Sequence, residues 1–142
     1  MDTIGAAAGV PALESPGTGV ISPQAATHLG HVIAEALRGD ADSSGTTLAL
    51  AAALLASPHP SLRMVGPHLL TPLARESPAD AGRMIQLADV CADASTAAAL
   101  AIPLAAAVAR DPSTAVELGQ GADTLPQQLA LQATRQALAA RD

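Results

Sequence analysis

Apolar residues fall in blocks at helical spacing along the chain, and Pro, Gly and short polar runs separate the blocks. Residues 1–21 carry Gly5, Gly9, Pro11, Pro16, Gly17 and Gly19 without a period, as expected of a flexible tail. Ser22-Pro23 then reads as a helix start, with Ser as N-cap and Pro at the first helical position, where its missing N–H costs nothing. Leu29, Val32, Ile33, Ala36 and Leu37 follow, and Arg38-Gly39 closes a helix over 23–38. A second helix over 46–56 is nearly all Ala and Leu, and its all-round apolar character predicts a central, buried position. Ser57-Pro58-His59-Pro60 ends it. The third, over 61–76, contains Gly66-Pro67 and Pro72, so a bend or break is expected near Gly66. Ser77 and Asp80 form a capping-box-like pair before a fourth helix carrying Met84, Ile85, Leu87, Ala88 and Cys91. Asp93 caps a fifth over 94–110, with Pro103 as a kink, and Asp111-Pro112 opens a short sixth ending at Gly119 or Gly121. Thr124 and Gln127 make a capping box for the last, which runs to about residue 140. The pattern is that of one all-α domain over 22–142, with about seven helices.

The later blocks echo each other. Pro78, Ala81, Gln86, Ala88 and Asp89 recur 34 positions on as Pro112, Ala115, Gln120, Ala122 and Asp123. Leu69, Leu100 and Leu131 share an offset of 31, as do Pro72 with Pro103 and Arg110-Asp111 with Arg141-Asp142. Periods of this length mark helical-hairpin repeats. His59-Pro60-Ser61-Leu62-Arg63, Leu69-Leu70-Thr71-Pro72-Leu73-Ala74 and Ala109-Arg110-Asp111-Pro112 carry a resemblance, over about residues 44–142, to the HEAT/armadillo group of α-solenoids, including the short bacterial leucine-rich variants. A tetratricopeptide array fits less well, because its aromatic pattern has no counterpart in a chain without Phe, Tyr or Trp. The resemblance implies stacked helical hairpins, a short HEAT-like α-solenoid or compact bundle, with a binding surface rather than a catalytic site.

Composition narrows the function classes. Charged residues are 14% of the chain against roughly a quarter in ordinary soluble domains, and hydrophobic residues are 49%, much of it Ala. A chain with few charges and few bulky anchors is expected to hide surface in a partner or a second copy of itself. All seven basic residues are Arg, as in the product of a GC-rich genome such as an actinobacterial one. A net charge of −6 and the absence of aromatic rings speak against nucleic-acid binding. The most apolar run, 94–109, is 16 residues and contains Pro103, too short for the roughly 20 residues of a membrane span. Cys91 is the sole cysteine, which points to a reducing, cytoplasmic setting.

Candidate chemistry is sparse. His28, His31 and Glu35 share a helix face at i, i+3 and i+7, a set able to hold a metal such as zinc, with His59, His68 and Cys91 as further possible ligands. A solvated face is the competing reading. Asp40, Asp42, Ser44 and Gly45 match the first half of an EF-hand loop, but Leu48 and Ala51 stand where its later ligands belong. Cys91 lies near Asp89 and Asp93, which raise a thiol pKa, so it reads as a small core residue rather than a nucleophile. No Gly-x-Ser-x-Gly elbow is present, and no Lys follows the glycines to make a phosphate loop. Arg63, Arg75, Arg83 and Arg110 lie in or at the ends of the repeat helices; clustered, they would grip acidic partner residues through bidentate pairs, and otherwise they balance Glu76, Asp80 and Asp111. The expectation is a noncatalytic interaction or scaffold module, without cofactor, that binds a partner protein or itself through an Ala/Leu-rich helical face. The alternatives are a small metal- or ligand-binding protein using His28, His31 and Glu35, and an accessory subunit of an enzyme.

Overall fold

The computed structural model describes residues 22–37 and 43–141. The tail over 1–21, the end of the first helix at Arg38-Gly39 and the two aspartates of the EF-hand-like loop, Asp40 and Asp42, lie outside the described residues. The fold is all-α, and among the described residues no helix is long and apolar enough to cross a membrane.

Helix α1 (Pro23–Leu37) starts where Ser22 places it: the Ser22 hydroxyl accepts the Ala25 N–H at 3.0 Å. Its inner face is Ala26, Gly30, Ile33 and Ala34, while Val32, expected inside, is 48% exposed. The reason is Gly30. A Cβ there would stand 2.9 Å from the backbone carbon and Cβ of His68 and from the Leu69 nitrogen, so the α1 backbone lies directly on the next long helix. That choice of contact turns Val32 outward.

Helix α2 (Ser43–Leu55) buries Thr47, Leu48, Ala51 and Leu55 but leaves Ala49 and Ala53 exposed. It is therefore an outer helix with one buried face, not the central one. Its uniform apolar look comes from Ala, which carries little area and is tolerated in water.

The central helix is α3 (Pro60–Glu76), which packs against α1, α2 and α6 and buries Val65, Gly66, Pro67, Leu69, Leu70 and Ala74. Of the bend or break expected near Gly66, no break occurs: the helix runs on through Pro67 and Pro72. Each Pro withholds one N–H, leaving the Arg63 and His68 carbonyls without their helical donors. Neighbours on three sides hold the helix together, and the freed His68 carbonyl belongs to the peptide unit against which Gly30 packs.

Ser77 makes no side-chain cap, so the expected Ser77–Asp80 box is absent; Asp80 instead pairs with Arg83 at 3.3 Å. The chain takes a 3₁₀ turn over Pro78–Asp80, then α4 (Ala81–Gln86), then a second 3₁₀ turn over Leu87–Val90. Helix α5 (Ala94–Ala99) is capped by Asp93, whose carboxylate accepts the Thr96 N–H at 2.8 Å and the Thr96 hydroxyl at 2.7 Å. Those bonds, hydroxyl first, hold the Asp93 carboxyl below its usual range, and Arg63 adds to the effect.

At Leu100 the helix is interrupted before α6 (Ala101–Arg110). Pro103 has no N–H for the Ala99 carbonyl, which accounts for the kink at this point. Asp111 accepts from the Ser113 N–H and hydroxyl, an Asx turn that launches α7 (Thr114–Gly121). The Thr124 hydroxyl accepts the Gln127 N–H at 3.2 Å to start α8 (Leu125–Ala140), and the Gln127 side-chain oxygen returns to the Asp123 N–H at 2.9 Å.

Helices α3, α6 and α8 lie side by side, α3 on α6 and α6 on α8. On the other side of the core, α2 meets the second 3₁₀ turn and α4 meets α7. Leu55, Leu69, Leu70, Met84, Ile85, Leu100, Leu104 and Leu118 fill the space between with Ala residues around them. One polar clasp ties the two sides: Asp89 accepts from the Thr124 hydroxyl and from Gln127 Nε2.

Candidate functional site

Because α3, α6 and α8 lie side by side, the C-terminal ends of all three meet at one edge of the molecule. Arg75 is in the last turn of α3, Arg110 in that of α6, and Arg141 caps α8. Each guanidinium sits at the negative end of a helix dipole, worth about 0.3–1 kcal/mol at an exposed site. The three also line one shallow groove of about 470 Å3, with Thr71, Ala106 and Ala109 and with Ile102, which is 40% exposed. The groove thus joins an apolar floor to three cationic forks.

Of the four arginines offered as a partner-binding set if clustered, Arg75 and Arg110 line one groove and the other two do not. Arg63 donates to the Ser57 carbonyl at 2.9 Å and pairs with Asp93 at 3.4 Å, and its side chain is only 14% exposed. It fastens the start of α3 to the start of α5. Arg83 is engaged by Asp80 one turn earlier. Among the described residues, Arg75, Arg110 and Arg141 have no ion pair like those of Arg63 and Arg83. Arg141 went unnamed as a site residue, although its place 31 positions after Arg110 already set it on the corresponding helix end.

His28, His31 and Glu35 are spread over two concavities beside α1. His28 and His31 line one of about 440 Å3 with Gln24 and Thr27. His31 and Glu35 line another of about 240 Å3 with Ala34, Pro72, Arg75 and Glu76. Among the described residues, no group of three or more His, Cys, Asp or Glu side chains is arranged to hold a metal ion.

No family model matches the chain, and comparison with curated proteins and with solved structures finds no similar protein.

His68 lies beside the first of these concavities. Its Nε2 lies 3.3 Å from the Thr27 hydroxyl, across the α1–α3 contact. Burial, and then the charge of His31, lower its pKa from 6.5. The unfolded chain therefore takes up this proton before the folded one does. Stability is full above about pH 6.5 and falls as pH drops from there toward the depressed folded value, because the unfolded state binds more protons in that window. Chemical denaturation at pH 7.5 and pH 5.5 should show a lower midpoint at pH 5.5, and His68→Gln should remove part of that difference.

Cys91 is half-buried, and its Sγ donates to the Leu87 carbonyl at 3.5 Å. Burial first, and then Asp93 and Asp89, push the thiol up to about 11. Very little thiolate exists at neutral pH, so the group is a poor nucleophile. Alkylation by iodoacetamide at pH 8 is expected to be far slower in the native protein than in denaturant. Equal rates in the two states would contradict this placement.

Proposed function

We propose that the chain is a noncatalytic protein-interaction module: a short stack of helical hairpins, of the kind the HEAT/armadillo resemblance implies, that holds a partner protein or a second copy of itself through its apolar helical faces. The observation that carries this reading is the exposure of large apolar side chains in the C-terminal half of the chain. Val116 on α7 is 63% exposed and Leu125 at the start of α8 is 69% exposed. Val90, in the second 3₁₀ turn, is 44% exposed, and its neighbour Asp89 is hydrogen-bonded to Thr124 at the start of α8. Large apolar side chains left in water on a chain with 14% charge are what a docking face requires. The helix arrangement is compatible with the same reading, since α3, α6 and α8 lie side by side and α2 packs along α3, while α8 is held by α5 and α6.

The test is the solution mass by light scattering across a dilution series, run on the wild type and on Val116→Glu/Leu125→Glu, together with recovery of binding proteins on each as immobilised bait. A dimer, or a saturable partner, that the double variant loses supports the reading. A monomer at every concentration whose bait retains nothing beyond the double variant's background would sink it.

A further inference from the structure

The groove at the C-terminal ends of α3, α6 and α8 specifies what such a partner presents. We infer that Arg75, Arg110 and Arg141 form a carboxylate-binding groove that receives an extended acidic–apolar segment of a partner protein. This rests on the module reading above and gives it a second, chemically defined contact. Three of the chain's seven basic residues converge on one groove, while thirteen acidic residues make the molecule −6 as a whole. The rest of the chain carries four basic and thirteen acidic residues, so charge complementarity favours this edge for an acidic segment. Arg suits the task, because its planar fork takes a carboxylate through two parallel N–H bonds.

The rest of the groove selects among acidic ligands. Its floor is Ile102, Ala106 and Ala109, which make no hydrogen bond through their side chains and offer small apolar surface. The Thr71 hydroxyl is already spent on the Pro67 carbonyl at 2.9 Å. A bare phosphate would meet the guanidiniums and leave that floor in water. A strand-like peptide with carboxylates on one side and aliphatic side chains on the other covers both. The groove is shallow, which also suits a segment laid along it rather than an enclosed small molecule.

The probe is a short synthetic peptide of alternating glutamate and leucine, titrated into the isotope-labelled full chain and followed by backbone amide shifts. Controls are a lysine–leucine peptide of equal length and inorganic phosphate alone. The acidic peptide is expected to shift the amides of Thr71 to Arg75, Ile102 to Arg110 and Arg141 saturably, leaving Leu48 to Leu55 unmoved. Arg110→Gln/Arg141→Gln should weaken it about tenfold or more, since two charge-assisted pairs are lost. Arg83→Gln, away from the groove, should not weaken it, and unchanged far-ultraviolet circular dichroism shows whether each variant is folded. No saturable shift at the groove, equal binding of the basic peptide, or full affinity in the double variant would each overturn the inference. Phosphate binding as tightly as the peptide, with no shift along Ile102 to Ala109, would assign the groove to a small anion and overturn it too. A natural partner recovered equally by wild type and the arginine double variant, yet lost with Val116→Glu/Leu125→Glu, would remove the groove and leave the module standing.

Discussion

Leu55→Ala is expected to lower the unfolding free energy by about 2–5 kcal/mol, the usual range for emptying a fully buried leucine site, and Gly66→Ala introduced beside it is expected to recover part of that loss. The two residues meet where α2 crosses α3. A Cβ on Gly66 would stand 2.9 Å from Leu55 Cγ and 3.0 Å from its Cδ2, and Leu55 has no exposed surface to retreat into. On the wild-type background Gly66→Ala therefore overpacks the seam and should cost about 1–3 kcal/mol. With Leu55 shortened, those atoms are gone. The added methyl enters the cavity, and the helix exchanges Gly for Ala, a gain of up to about 1 kcal/mol in propensity. The double-mutant cycle should thus show a large favourable coupling. The chain has no Phe, Tyr or Trp, so unfolding must be followed by far-ultraviolet circular dichroism or calorimetry. An equal cost of Gly66→Ala in both backgrounds would mean that α2 and α3 do not cross at these residues.

The same seam marks the boundary of what can be read from sequence. Local chemistry was legible: Ser22, Asp93 and the Thr124–Gln127 pair cap the helices their spacing assigned to them. Pro103 interrupts its helix as expected, because the break at Leu100 lies only three positions before it and the donor it lacks is local. Pro67 and Pro72 have the same local effect and do not interrupt α3, because α1, α2 and α6 surround that helix. Tertiary packing outweighs local propensity there, and nothing in 61–76 itself reports how many neighbours the helix has. Composition misplaced α2 for a related reason: an Ala-rich helix looks buried on every side, and only the large side chains, Leu48 and Leu55, show which face is.

The arginines divide in the same way. Arg75 and Arg110 were legible as helix-end residues, and helix ends were enough to bring them to one edge. Arg63 looked equivalent in sequence but pairs with Asp93, thirty positions away, a contact set by the crossing of α3 and α5. The Asp89 clasp to Thr124 and Gln127 is equally non-local. Both link elements far apart in sequence, and the spacing of the caps gives the order of the helices without their lateral register.

Gly30→Ala should behave differently from Gly66→Ala, because no side chain can yield to it. The three atoms at 2.9 Å from the added Cβ are the His68 carbonyl carbon, the His68 Cβ and the Leu69 nitrogen, all fixed by α3. Leu69 is fully buried and α3 is wedged between α2 and α6, so α3 cannot move away. The strain must be relieved by α1 lifting off, which exposes Ala26 and loosens Ile33 from the core. The expected cost is about 1–3 kcal/mol, seen as a lower denaturation midpoint and faster amide exchange over Pro23–Leu37. No shortening of a neighbouring side chain should rescue it. A second signal is tied to α1 alone. Its packing contributes to burying His68, and it carries His31, so its departure should let the His68 pKa rise back toward 6.5. An imidazole titration followed by NMR reads this directly, and with it the acid-side loss of stability should shrink. Unchanged exchange over α1 together with an unchanged His68 titration in Gly30→Ala would show that α1 is not seated on α3 through this glycine.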